Sequence, residues 1–210
     1  MLSGLVIGYD PGGNRAHGVA KLQIEDGKAT SASTWTMATT EDVITFLENR
    51  PSIAALGVDT LTCWSTGKSA WRPADRWLRN QYKAVRNSVV TPNSLFGAMG
   101  LNGMAALVAV RLTHPEILIT ETHPKVLYYQ LSGQKYDYKI RKMEMDATLV
   151  EKLNVTVAPA TEHEWDAALS AFAALLGLGQ RWTHDLHRLG TEEGERLINP
   201  CGITHYFWPE

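Results

Sequence analysis

The sequence predicts an α/β fold built on a mixed sheet. Two observations carry that prediction. An apolar segment that ends in a carboxylate occurs three times, at residues 5–10, 53–59 and 115–121. A hairpin and a short helix separate the first two, and a helix between two buried strands favours a parallel, right-handed crossover.

The first segment organises the rest. Leu5-Val6-Ile7 is β-prone and apolar, and Pro11 with Gly12 and Gly13 stops the strand just after Asp10. Gly8 lies on the same face as Asp10, because side chains alternate along a strand. A bare backbone there leaves room for a ligand or a closely packed helix. Residues 18–25 alternate apolar and polar, Asp26-Gly27 is a hairpin dipeptide, and residues 29–37 are rich in Ser and Thr. Three antiparallel strands follow from this. Thr40 is the expected cap of a short helix carrying Val43, Ile44 and Leu47, which Pro51 closes.

The second apolar segment repeats the design and ends in Gly57-Val58-Asp59. Thr66-Gly67-Lys68-Ser69 resembles the end of a phosphate-binding loop, but Thr62 occupies the position where that motif needs its first glycine. Arg72, Asp75, Arg76 and Arg79 share helical spacing, which suits either a solvated ion-paired face or contacts to phosphate. A long helix is expected from Asn93-Ser94 to about Leu112. Its many small residues permit close packing. The third segment ends in Glu121, and Pro124 starts the helix after it. Residues 128–142 mix tyrosines with basic side chains, a pattern that suits single-stranded bases and phosphates or a surface loop. Thr161-Glu162-His163-Glu164 reads as a capping box. In the helix it opens, Asp166 lines up with Ser170, Ala173 and Gly177, a small-residue face on which a helix can lie close to a sheet. The tail from Glu195 is expected to pack as an irregular cap.

Composition narrows the classes. The chain has 210 residues, 44% of them hydrophobic, enough for one domain with a real core. There is no apolar run long enough to span a membrane, and no basic-then-apolar leader pattern. Cys63 and Cys201 fall in unrelated contexts without disulfide or zinc spacing, so a cytoplasmic setting is expected. A net charge of −2 does not advertise nucleic-acid binding, yet neutralising four acids would turn the remainder positive.

Three strand ends and one helix thus offer Asp10, Asp59, Glu121 and Asp166. Ligands of parallel sheets gather at the carboxyl ends of the strands. Carboxylates crowded there raise one another's pKa unless a cation joins them. All-oxygen ligands suit magnesium or manganese, and two such ions about 4 Å apart support phosphodiester cleavage.

The set of short motifs resembles a known family. Residues 7–12 (Ile-Gly-Tyr-Asp-Pro-Gly), Gly57-Val58-Asp59, Arg72-x-x-Asp75-Arg76-x-x-Arg79, Glu121-x-His123-Pro124 and Asp166-Ala167-Ala168 look like the predicted RNase H-like nucleases of a domain family of unknown function. Residues 195–200 fit loosely. The resemblance spans nearly the whole chain and implies an RNase H-like fold, five strands in the order 3-2-1-4-5 with helices on both faces. It implies metal ligation by Asp10, Asp59 and Asp166, with Glu121 in the family's Glu-x-His-Pro segment. The chain departs from the pattern in its tyrosine-rich stretch near 128–142.

The expectation is one domain over residues 1–210, with a helical insertion at about 60–114 and a basic tyrosine-rich loop at about 128–142. Its expected activity is metal-dependent phosphodiester hydrolysis of DNA or RNA. Asp10, Asp59, Glu121 and Asp166 form the catalytic set, and Asp10, Asp59 and Asp166 hold Mg2+ or Mn2+. Arg72, Arg76, Arg79 and Lys139 contact substrate. His123 and His163 are candidate proton shuttles or structural hydrogen-bonding groups. A non-catalytic nucleic-acid or partner-binding module on the same fold is the alternative. Phosphotransfer on a nucleotide is disfavoured, because such kinases need two lobes of this kind.

Overall fold

The computed structural model describes residues 2–50, 52–67, 71–90 and 97–210. Pro51, Lys68-Ser69 and the expected helix start at Asn93-Ser94 lie outside the described residues. The order of elements is β1 (Gly4–Asp10), β2 (His17–Glu25), β3 (Lys28–Met37), α1 (Thr40–Glu48), β4 (Ile53–Val58) and the two-residue β5 (Trp64–Ser65). Then come α2 (Pro73–Gln81), α3 (Gly97–Thr113), β6 (Leu118–Glu121), α4 (Pro124–Ser132), α5 (Tyr138–Leu153) and α6 (Glu162–Leu178). Three short strands finish the chain, β7 (His184–Asp185), β8 (Leu197–Ile198) and β9 (Phe207–Trp208).

Five strands form the main sheet in the order β3-β2-β1-β4-β6. Counting only these strands, the order is 3-2-1-4-5, as the sequence resemblance led us to expect. β1, β2 and β3 are antiparallel, while β4 and β6 run parallel to β1. On one face Ile7, Tyr9, Leu56, Val58 and Ile119 pack under Val43 and Leu47 of α1 and Ala106, Leu107 and Val110 of α3. On the other, Val6 and Ala55 meet α6, which is buried along nearly its whole length.

The seat of α6 is made by glycine. Gly8 and Gly57 are register partners on β1 and β4, and Gly18 faces Asp10 from β2. A Cβ on Gly8 would lie 1.8 Å from the Ala167 carbonyl oxygen, one on Gly57 1.9 Å from that of Ser170, and one on Gly18 1.9 Å from that of His163. The helix therefore lies directly on three neighbouring strands and carries Asp166 to their carboxyl ends. An added methyl group meets rigid backbone here. Gly8→Ala is expected to destabilise the protein by about 3 kcal/mol, an overpacking effect, and to lower Tm by about 6–12 °C for a chain of this size. Gly13→Ala, whose Cβ meets nothing within 4 Å, is the control, and differential scanning calorimetry of the two reads the difference.

Local caps differ in detail from the sequence expectations. The cap of α1 is Thr39, in a reciprocal capping box with Asp42, and Thr40 is the first helical residue. Thr161 caps α6 as expected, but the Glu164 carboxylate does not fold back onto it. It accepts from the Thr34 and Thr36 hydroxyls and the Ala160 amide, tying α6 to β3.

The expected loop at about 128–142 is instead helical. α4 and α5 cover most of it, and the link spans residues 133–137. Gly133, at a φ of 71°, ends α4, and Asp137 caps α5. The tyrosines pack inward, with ring centroids of Tyr128, Tyr136 and Tyr138 at 5.5, 5.6 and 6.3 Å from that of Trp165. They form part of the α6 core, and Tyr136 and Tyr138 also line a surface cleft. The tail is more ordered than a cap. β8 pairs with β5 and β9 with β7, and His205 bridges Thr120, so the tail shields the β6 edge. Trp208 is fully buried, with its indole N–H on the Tyr82 hydroxyl at 2.7 Å. Among the described residues no helix is long and apolar enough to cross a membrane.

Candidate active site

Asp10 is the last residue of β1, and Asp59 directly follows β4, its N–H donating to the Tyr9 carbonyl at 2.9 Å. That bond continues the parallel ladder by one residue and sets the two acids side by side. Asp166, in the second turn of α6, comes down onto them. Asp10 is 2% and Asp166 6% exposed. Burial raises all three carboxyl pKa values. Asp10 moves up to about 6, the lift from burial being partly offset by its hydrogen bond to His163. Asp59 and Asp166 lie well above the ordinary range through burial and then the charge of Asp10, with Asp59 adding to the effect on Asp166. Mutual repulsion of this kind shows that the three share one electrostatic site.

Two side chains modulate it. His163 Nδ1 lies 2.5 Å from Asp10 Oδ2, and this bond raises the histidine pKa. Lys125, on the first turn of α4, pulls the pKa values of Asp10, Asp59 and Asp166 downward. The sequence reading overlooked Lys125. Its signal was position, four residues after a strand-ending acid and next to the proline that starts a helix.

Glu121 departs from the expected catalytic set. Register explains this, since Glu121 pairs with Val58, and Val58 with Tyr9, so its side chain faces the side of the sheet opposite Asp10. There it meets Arg72, whose Nη1 and Nη2 donate to its two oxygens at 2.7 and 2.5 Å. The Thr62 amide adds a third bond at 2.9 Å. Burial alone would raise the Glu121 pKa, but Arg72 and His187 hold it well below the ordinary carboxylate range. Cys63, Glu121 and His187 have donor atoms within 4.8 Å of one another, the one such group among the described residues. A cation could enter there only if Arg72 withdrew. Against the opposing effect of burial, hydrogen bonds between His187 and its acceptors Cys63 and Glu121 push the His187 pKa up to about 10. His187 therefore acts as a second cation in a buried network with Arg72, Asp75 and Glu121.

The arginines are likewise committed to protein acceptors. Arg72 is 2% exposed and also binds Asp75 at 2.9 and 2.7 Å, so it is not a substrate contact. Arg76 pairs with Glu195 at 2.8 Å and Glu192 at 3.4 Å. Arg79 donates to the Arg86 and Val89 carbonyls and stacks on Trp71. The expectation that Arg76 and Arg79 contact phosphate has no unengaged guanidinium to support it. His123 donates from Nε2 to the Ser88 carbonyl at 2.9 Å, and burial lowers its pKa, so it serves as a hydrogen-bonding group of the fold. Lys139 is exposed and lines a 520 Å³ cleft with Lys125 and Lys135. None of these three lysines forms an ion pair with a carboxylate among the described residues.

The acid trio has the donor chemistry of a hard divalent cation site, although its carboxylates do not all lie within 4.8 Å of one another. The donors are all oxygens, and Asp166 Oδ1 is buried outside regular hydrogen-bond geometry, with the Tyr136 hydroxyl lowering its pKa against the effect of burial. An unmet buried carboxylate oxygen is unfavourable unless a cation or proton occupies it.

Comparison with known proteins adds little to this geometry. No family model and no curated protein matches the chain. Among solved structures, the chain is similar to RuvC of Thermus thermophilus, at 14% identity over 84% of this chain and 96% of that one, with a TM-score of 0.47.

Proposed function

We propose that this protein is a divalent-metal-dependent phosphodiesterase acting on DNA or RNA, with Asp10, Asp59 and Asp166 as its metal-holding carboxylates. The observation that supports it most is the convergence of three mutually repelling acids, Asp10 and Asp166 buried and Asp59 half-buried, from β1, the end of β4 and α6. A bound magnesium or manganese ion would supply Lewis acidity toward a phosphoryl oxygen and a water of lowered pKa. The chain's own residues do the rest. β1 and β4 fix Asp10 and Asp59 on a rigid sheet, and the glycine seat fixes Asp166. His163 donates from Nδ1 to Asp10 Oδ2 and orients that carboxylate. Lys125 and the lysine cleft attract the phosphate backbone.

The test is a panel of single-stranded, duplex, hybrid and branched substrates in magnesium, manganese, calcium or chelator. Magnesium or manganese is expected to support cleavage to 5′-phosphate and 3′-hydroxyl ends, and calcium to bind without turnover. Absence of cleavage from every substrate, with manganese demonstrably bound, would favour the second reading, a nucleic-acid-binding module. The lysine-bearing cleft, which can hold a strand without any chemistry, is the observation on that side.

The acids also predict a pH dependence. The folded pKa values of Asp10 and His163 are both raised, so each group binds its proton more tightly in the folded state. Their stabilising contribution is complete below the unfolded values and is lost as pH rises through the folded ones. The Tm of the metal-free protein is therefore expected to fall as pH rises from about 4 through 6 and beyond. Added magnesium should reverse the fall at neutral pH but not at pH 5, where protons compete for the same oxygens. Asp166→Asn, which removes a charge that burial disfavours, should match or exceed the wild-type Tm without metal and lose the magnesium response. A thermal-shift series across pH measures all three outcomes.

A further inference from the structure

The 520 Å³ lysine cleft and a second cavity of 340 Å³ share a wall made of Asn87, Ser88 and Lys125. Their chemistries differ. The cleft presents Lys125, Lys135 and Lys139, with Asp137, Glu162, Tyr136 and Tyr138 also in its wall. Leu61, Val89, Val90, Met99 and Tyr206 give the cavity a mainly apolar wall, which Asp59 and the mutually paired Arg72 and Glu121 also line. Lys125 lies at the junction and acts electrostatically on all three acids. An apolar chamber, a cation and a run of further cations thus follow one another past the acid site. A nucleotide has the same sequence of properties, a flat weakly polar base followed by anionic phosphates. The chamber's volume lies in the range that encloses small flat ligands. A base stacked within a duplex cannot enter such a chamber without leaving its partner.

We infer that the 340 Å³ cavity seats one unpaired base of a nucleic-acid strand, with the phosphate beside that base on Lys125 and the strand continuing over Lys135 and Lys139. The inference rests on the nuclease reading of the acid site, and it narrows the substrate to single-stranded nucleic acid or a strand with an extruded base. Recognition is mainly by apolar enclosure, the buried charges in the wall being paired with one another, so it is tolerant of base identity. The lysines set backbone position and salt dependence.

The test is fluorescence anisotropy with a labelled single strand in calcium, the same sequence as a blunt duplex, and a set of strands with one abasic unit at successive positions. The single strand should bind at least about tenfold more tightly than the duplex. One abasic position should weaken binding by about 5- to 100-fold, the loss of a base from an aromatic or apolar seat, while the others change little. Lys125→Gln and Lys139→Gln should each flatten the salt dependence by about one counterion and leave the abasic penalty in place. The abasic scan uses the unaltered protein, so a folding defect cannot imitate its result. Equal affinity for strand and duplex, or no position sensitive to base removal, overturns the inference. So does displacement of the strand by an equimolar nucleoside monophosphate, which would make the cavity a mononucleotide site. Cleavage without base-dependent binding leaves the nuclease reading standing and removes this one. Base-dependent binding without cleavage does the reverse, and no binding of any strand removes both.

Discussion

Asp59→Asn is expected to lower cleavage by about a thousandfold or more while leaving strand affinity in calcium unchanged or slightly higher. The size follows from the several kcal/mol that metal-assisted charge stabilisation contributes, at tenfold in rate per 1.36 kcal/mol. The substitution keeps shape and backbone. The Asp59 amide still reaches the Tyr9 carbonyl, and Asn fills the same volume. What is lost is a carboxylate whose pKa already stands high through burial and the charge of Asp10. Removing one negative charge beside the phosphate path does not weaken strand binding. Single-turnover cleavage and anisotropy on the same preparation separate the two effects. Residual cleavage within tenfold of wild type would mean that the chemistry lies elsewhere.

Arg72→Ala is expected to cost about 3–5 kcal/mol of stability, because it leaves Asp75 and Glu121 buried with their charges unpaired. For a chain of this length that corresponds to a fall in Tm of roughly 6–20 °C. Arg72→Lys should recover little, since a point charge cannot bridge two carboxylates in the fork geometry that Arg72 adopts. Adding Glu121→Gln to Arg72→Ala should restore part of the loss, because it removes one of the stranded charges. Urea unfolding of the single and double variants gives the coupling directly. A small effect of Arg72→Ala would reopen Arg72 as a substrate contact and Glu121 as a metal ligand.

These two residues mark where sequence and tertiary structure divide the work. The three strands that end in acids, the hairpin at Asp26-Gly27, the parallel crossover and the small-residue face of α6 are all local patterns. Each is set by periodicity, by glycine and proline, and by the need to bury apolar side chains, so the sheet and the placing of Asp10, Asp59 and Asp166 near its carboxyl edge are legible in the chain itself, whereas their separation from Glu121 came only with the family resemblance. The fate of the fourth acid is not legible there. Glu121 ends its strand with the same pattern as Asp10 and Asp59, yet it lies level with Val58 and Tyr9, one residue short of them. A shift of one residue turns a side chain to the opposite face of a sheet, and there Arg72, delivered from the start of α2, was waiting to neutralise it. The same holds for the arginines and tyrosines. Their spacing suggested contacts with a polyanion, but packing against Glu195, Trp71 and Trp165 decided their partners. Local propensity and alternation fix which residues form strands and which face is apolar. Register between strands, and which distant side chain completes a buried charge, are set only when the chain closes on itself.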